Sequence, residues 1–170
     1  PHFEVAAFHE GLGDLSAISV ALATPRLAGE VDTETQGDPS RSNLVSRLAE
    51  ELGAAVRDKY GPDAAPAGAL RDAVNDFRYA DPKSLPDDAP DRELSAEPHS
   101  FSRVMTGTCW QLLVTIFRET QNPNRAEALA TAARTLSFLV VGAARTAASG
   151  ADFFGRVARQ IVRGARAAGA

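Results

Sequence analysis

Over most of this chain apolar side chains recur at three- and four-residue steps, the period of one helical face. Val5, Phe8, Leu12, Leu15, Ile18 and Leu22 predict a first helix over about Phe3 to Ala23, ended by Pro25. Residues 26–39 are polar and acidic, with Glu30, Asp32, Glu34 and Asp38, and read as an exposed loop. Leu44, Val45, Leu48, Leu52 and Val56 would form the inward face of a second helix over about Asn43 to Tyr60, capped by Ser40 or Ser42 and closed by Gly61-Pro62. Gly68 to Phe77 fits a short third helix. Residues 78–98 carry four prolines and cannot sustain a helix, so they predict a long irregular loop. Val104, Met105, Thr108, Leu112, Ile116 and Phe117 mark a central fourth helix over about Phe101 to Glu119. A fifth, over about Arg125 to Ala147, is apolar nearly all round between Leu136 and Val141 and is expected to be buried there. A sixth covers about Ala151 to Ala167, and no stretch reads as a strand. The pattern predicts one all-α domain over residues 1–170, a bundle of about five to six helices with Phe8, Leu12, Leu48, Leu112, Ile116, Leu136 and Leu139 in its core.

Composition narrows the function classes. At 170 residues the chain is long enough to bury a real core as one domain, and 44% hydrophobic with only 6% aromatic content suits helices. A net charge of −4 argues against a nucleic-acid partner, which requires a dominant basic surface. One cysteine, Cys109, leaves no internal disulfide and no Cys-rich zinc site. The longest apolar run, Leu136 to Ala144, is interrupted by Ser137 and Gly142 and is shorter than the roughly 20 residues of a bilayer span. No signal-peptide pattern is visible, and a start at Pro1 directly before a strong helix suggests a piece of a larger chain, with its compartment left open.

The first helix carries two carboxylates, Glu10 and Asp14, four residues apart and therefore on one face. Such a pair can serve as a metal ligand and the group supporting it, or can simply favour a helix N-terminus through the macrodipole. The segment His9-Glu10-Gly11-Leu12-Gly13-Asp14 resembles the Asn-Glu-x-x-Ser-Asp segment of thermolysin-like (gluzincin) zinc peptidases, with His9 at the Asn position and Gly13 at the Ser position. A second match is Glu97-Pro98-His99-Ser100-Phe101, at the start of the fourth helix, where that family places a histidine across the cleft from the metal. By resemblance, Glu10 would be a zinc ligand and Asp14 would hold a ligand histidine. His99 would donate to the oxyanion, supported by one of Asp91, Glu93 or Glu97. Arg78, with Arg71 as the second choice, would contact a substrate carbonyl. The order of elements follows the helical lobe of the family over nearly the whole chain, with 26–39 as a polar excursion and 78–98 as the cleft loop.

The resemblance stops at the metal. The family also needs His-Glu-x-x-His, and neither His2, His9 nor His99 starts that motif, so this chain holds half a site. The expectation is the helical half of a peptide-hydrolysing enzyme: zinc in the intact protein, none in this chain alone, and no activity without an upstream lobe supplying two histidines and the base. Its partners would be a peptide or protein substrate, that lobe, and another copy of the chain over the uncovered groove. The alternative is a non-catalytic helical interaction domain or a pseudoenzyme. His2 reads as an exposed end, and His9 points about 100° from Glu10 around the helix. Cys109, ten residues after His99, reads as a core residue rather than a nucleophile paired with that histidine. Arg156, Arg159, Arg163 and Arg166 form one helical stripe, read as a solvated face that could pair with the acidic stretch 26–39.

Overall fold

In a computed structural model, which describes residues 2–168, the first apolar pattern forms α1, Phe3–Leu22. Its Ala7, Phe8, Gly11, Leu15, Ile18 and Leu22 are buried along one side. Gly11 lets α4, Pro98–Glu119, come close: a Cβ there would stand 3.3 Å from Met105 Sδ and 3.4 Å from the Ser102 carbonyl. That crossing brings the middle of α1 against the first turns of α4. The N-terminal ends are fastened by aromatic edges, Phe3 on Phe101 at 5.2 Å and Phe8 on Phe153 at 5.1 Å. Glu4, buried in the first turn of α1, accepts from the Tyr79 hydroxyl at 2.9 Å and from the Phe154 N–H at 2.8 Å. The second bond satisfies an otherwise orphan donor at the start of α6, Phe153–Ala167.

The acidic stretch is a correction to the sequence reading. Pro25 opens a helix as well as ending one, because its fixed φ suits the first helical position, and α2 spans Pro25–Glu34. Ala28 and Val31, three residues apart and fully buried, seat it on α5, Arg125–Thr146. Its acids point outward to arginines: Glu30 to Arg26, Asp32 to Arg125, Glu34 to Arg47, with Asp38 beyond the helix reaching Arg118. None of these partners belongs to α6.

The second and third expected helices also differ. Asn43 is buried, and its carboxamide oxygen accepts from the Val45 and Ser46 N–H groups, a local arrangement that competes with helix. Arg47–Leu48 (β1) then pairs antiparallel with Arg71–Asp72 (β2), and α3 begins only at Glu50, after Ala49 in the left-handed region, and ends at Tyr60. Gly53 is the buried residue of α3, because Ala69 backbone atoms lie where a Cβ would stand. Leu52, expected inside, is 55% exposed. No helix forms over 68–77: Asp72 and Asn75 side chains take the Val74 and Phe77 N–H groups.

The described residues thus hold six α-helices and one two-residue ladder, an all-α bundle. Phe8, Leu136 and Leu139 are buried as expected, whereas Leu12, Leu48, Leu112 and Ile116 are half-buried against the core. On α4 the innermost side chains are Phe101, Trp110 and Leu113, and Thr108 is exposed. On α5 Phe138 and Val141 are 73% and 51% exposed, so that helix is not buried all round. By length and composition α1 and α5 would each qualify as membrane-spanning, yet both bury a stripe in the bundle as core helices do.

Candidate functional site

Glu10 and Asp14 leave α1 on the side that faces the start of α4 and the β1–β2 arm. His99, in the first turn of α4, places Nε2 3.2 Å from Glu10 Oε2. Behind the ring, Glu97 Oε1 lies 2.5 Å from His99 Nδ1. Its other oxygen accepts the Ser100 N–H at 2.8 Å, so one carboxylate caps α4 and holds the imidazole. A neutral ring carries one N–H and can donate to only one of these carboxylates; a protonated ring donates to both. Burial by itself would raise the Glu97 carboxyl. The bonds from His99 and Ser100 together outweigh that and hold it below its ordinary value of 4.5.

Asp14 is buried, and both of its oxygens are taken by Arg71, from Nε at 2.9 Å and Nη2 at 2.8 Å. The β1–β2 pairing is what carries Arg71 over α1. Desolvation works against the guanidinium, but Asp14, with Glu10 and Glu97 further off, raises its pKa above the ordinary value. Three carboxylates therefore surround one permanent cation, which leaves the cluster anionic when His99 is neutral.

Arg103, which the sequence reading passed over, sets the other wall. It is buried on α4 and lies over the Phe77 ring at 4.3 Å. It donates to the Asp91 carbonyl, to the Glu93 carbonyl at 2.6 Å and to the Ser100 hydroxyl at 2.8 Å. A cation on the inward side of an apolar helix had to find acceptors, and the irregular stretch 73–97 supplies them. A pocket of about 180 Å³ opens there, walled by Leu70, Arg71, Ser95, Glu97, His99 and Arg103.

Of the three candidate supports, Glu97 is the one that reaches His99. Asp91 and Glu93 present main-chain carbonyls to Arg103. Arg71, the second choice, is the arginine brought to the carboxylates. Arg78, the first choice, is exposed and its Nη1 reaches Gln111 Oε1 at 3.4 Å, about three turns along α4 from His99. The ladder that positions Arg71 leaves no periodic trace in a two-residue strand. His2 and His9 are exposed, the latter edge-on to Phe8. Cys109 is buried and burial pushes its thiol up to about 12, so it carries no thiolate at neutral pH. It also lies ten residues, about 15 Å, along α4 from His99.

The residues present do not by themselves fit zinc: among the described residues no group of three or more His, Cys, Asp or Glu converges on one point. Glu97 and Glu10 approach opposite edges of the His99 ring and cannot share a metal with it. Asp14, although occupied by Arg71, retains lone pairs able to accept one more donor. The Glu10–His99 contact is closer than a substrate-wide gap, but with the side chains 39% and 56% exposed it is screened and contributes less than about 1 kcal/mol. It can therefore be exchanged for other partners at little cost. No family model, curated protein or solved structure matches this chain.

Proposed function

We propose that this chain is the helical-lobe half of a thermolysin-like zinc metallopeptidase, inactive alone and completed by a lobe bearing His-Glu-x-x-His. The observation that carries the reading is the convergence of Glu10, Asp14, Arg71, Glu97 and His99, from three separate stretches of sequence, into one partly open anionic cluster. In this reading Glu10 supplies the one ligand the chain can offer, and Asp14 accepts from a ligand histidine of the other lobe while keeping Arg71. Arg71 contacts a substrate carbonyl, in the place first expected for Arg78. Glu97 fixes the orientation of His99, whose Nε2 leaves Glu10 to donate to the oxygen that becomes negative as the peptide carbonyl is attacked. Zinc, when bound, supplies the activated water.

A non-catalytic domain is the second reading, and the specific observation favouring it is that Glu10, His99 and Glu97 already satisfy one another. One experiment separates the two: metal content and peptidase kinetics of a protein containing this chain together with the sequence ahead of Pro1. Stoichiometric zinc, lost in Glu10→Gln, with kcat reduced about 100- to 1,000-fold in His99→Phe at unchanged zinc, supports the peptidase. Absence of a His-Glu-x-x-His segment in that sequence, or full activity of Glu10→Gln, overturns it.

A further inference from the structure

The arginine stripe of α6 is a charged face whose expected countercharges lie elsewhere. The acids of 26–39 pair with Arg26, Arg47, Arg118 and Arg125. On α6 itself, Phe153–Ala167, there is no acidic residue. Arg156, Arg159, Arg163 and Arg166 share an arc turned away from buried Phe153 and Val157. Asp152 engages Arg159 at 2.7 Å, and Arg156 reaches only the Ala148 carbonyl at 3.4 Å. Among the described residues no carboxylate forms an ion pair with Arg163 or Arg166. A pocket of about 370 Å³ opens between Arg156, Arg159, Arg163, Asp152 and residues 146–148, at and just past the end of α5. In a chain of net charge −4, this is a local concentration of positive charge.

Exposed apolar side chains stand on α6 and on the helix it packs against. Val162 on α6 is 49% exposed. On α5, which packs along α6 with Leu139 against Gly164, Phe138 is 73% exposed. An acidic protein would need only the charge. A stripe of cations with a solvent-facing Val on the same helix and a solvent-facing Phe on the adjoining helix suits a surface that is anionic at the headgroups and apolar just beneath, with arginine stems lying along it. We propose that the exposed arc of α6, with Phe138 of α5, is a docking surface for an anionic phospholipid bilayer. This is independent of the peptidase reading.

The test is co-sedimentation of the chain with vesicles of equal parts phosphatidylglycerol and phosphatidylcholine, and with phosphatidylcholine alone. The expected result is binding only to the anionic vesicles, weakening as salt rises. The triple variant Arg159→Gln, Arg163→Gln, Arg166→Gln should lose about 100-fold in affinity, about five-fold per arginine. Because these side chains are exposed, its helical circular dichroism and melting temperature should stay unchanged. Phe138→Ser should weaken binding while keeping the salt dependence. Absence of vesicle binding, equal binding to neutral vesicles, or wild-type binding by the triple variant overturns the proposal. Binding to polyglutamate without vesicle binding overturns it in favour of an acidic protein partner.

Discussion

Replacing Asp14 by Ala removes the carboxylate that holds Arg71, and the structure sets the size of the loss. Both side chains are largely out of solvent, 17% exposed for Arg71 and 10% for Asp14, and the pair is bidentate. Breaking such a pair strands a buried cation, which costs about 3–5 kcal/mol. Here Glu10 and Glu97 remain near enough to act on the guanidinium, so the lower end, about 3 kcal/mol, applies. For a domain of this size that is a fall in melting temperature of roughly 6–12 °C. The double variant Asp14→Leu with Arg71→Met removes both charges and keeps apolar volume, and should return to within about 1 kcal/mol of wild type. Thermal unfolding of Asp14→Leu, Arg71→Met and the double variant, followed by circular dichroism, gives the coupling directly. An Asp14→Ala loss below about 1 kcal/mol, or a double variant as unstable as the sum of the singles, would refute the picture of a buried pair anchoring the β1–β2 arm to α1.

Further outcomes follow from the same geometry. Glu97 is held below its ordinary value in the folded chain, so its contribution is present above about pH 4.5 and is lost as pH falls through the folded value. Glu97→Gln, which keeps an oxygen for the Ser100 N–H, should flatten the acid limb of the stability profile; identical limbs in the two proteins would count against the His99–Glu97 pair. Arg103→Met should cost about 2–4 kcal/mol and raise hydrogen exchange and proteolytic cleavage over residues 78–97 while the helical signal persists. Unchanged protection there would show that Arg103 is not the strap. Cys109, with its thiol pushed up to about 12, should resist a thiol reagent in the native chain and react on unfolding; rapid native labelling would contradict its burial.

The parts of the fold that were legible are those where one helical period runs uninterrupted. Spacing placed α1, α4, α5 and α6 to within about three residues at each end, a normal margin for helix boundaries. α2 was missed because its buried residues are few and small, Ala28 and Val31 among acids, and the packing against α5 that stabilises it is not a local property. The over-long second helix failed for the opposite reason. Leu44, Val45 and Leu48 have helical spacing, but Asn43 captures the amides that a helix needs, and the β1–β2 pairing replaces the rest. On α5 the apolar run from Leu136 to Val141 could not say which residues face out, since Phe138 and Val141 break no pattern by being exposed.

The site divides along the same physical line. Glu10 and Asp14 were legible as a pair because helix geometry alone aligns them, and His99 as a residue at a helix start, but its support stayed open among Asp91, Glu93 and Glu97 until the Glu97 cap on α4 was seen. What no spacing encodes is the meeting of the two, which depends on Gly11 admitting α4, and the delivery of Arg71 by a two-residue ladder. Arg78 and Arg71 sit seven residues apart on an irregular segment, and choosing between them requires knowing which end crosses α1. The ladder decides it: Leu48 pairs with Arg71, Leu70 donates to the Leu48 carbonyl at 2.8 Å, and the next residue is thereby directed onto Asp14. Disrupting the ladder should therefore loosen Arg71 before it disturbs His99, because the imidazole is fixed independently through Glu97 at the start of α4.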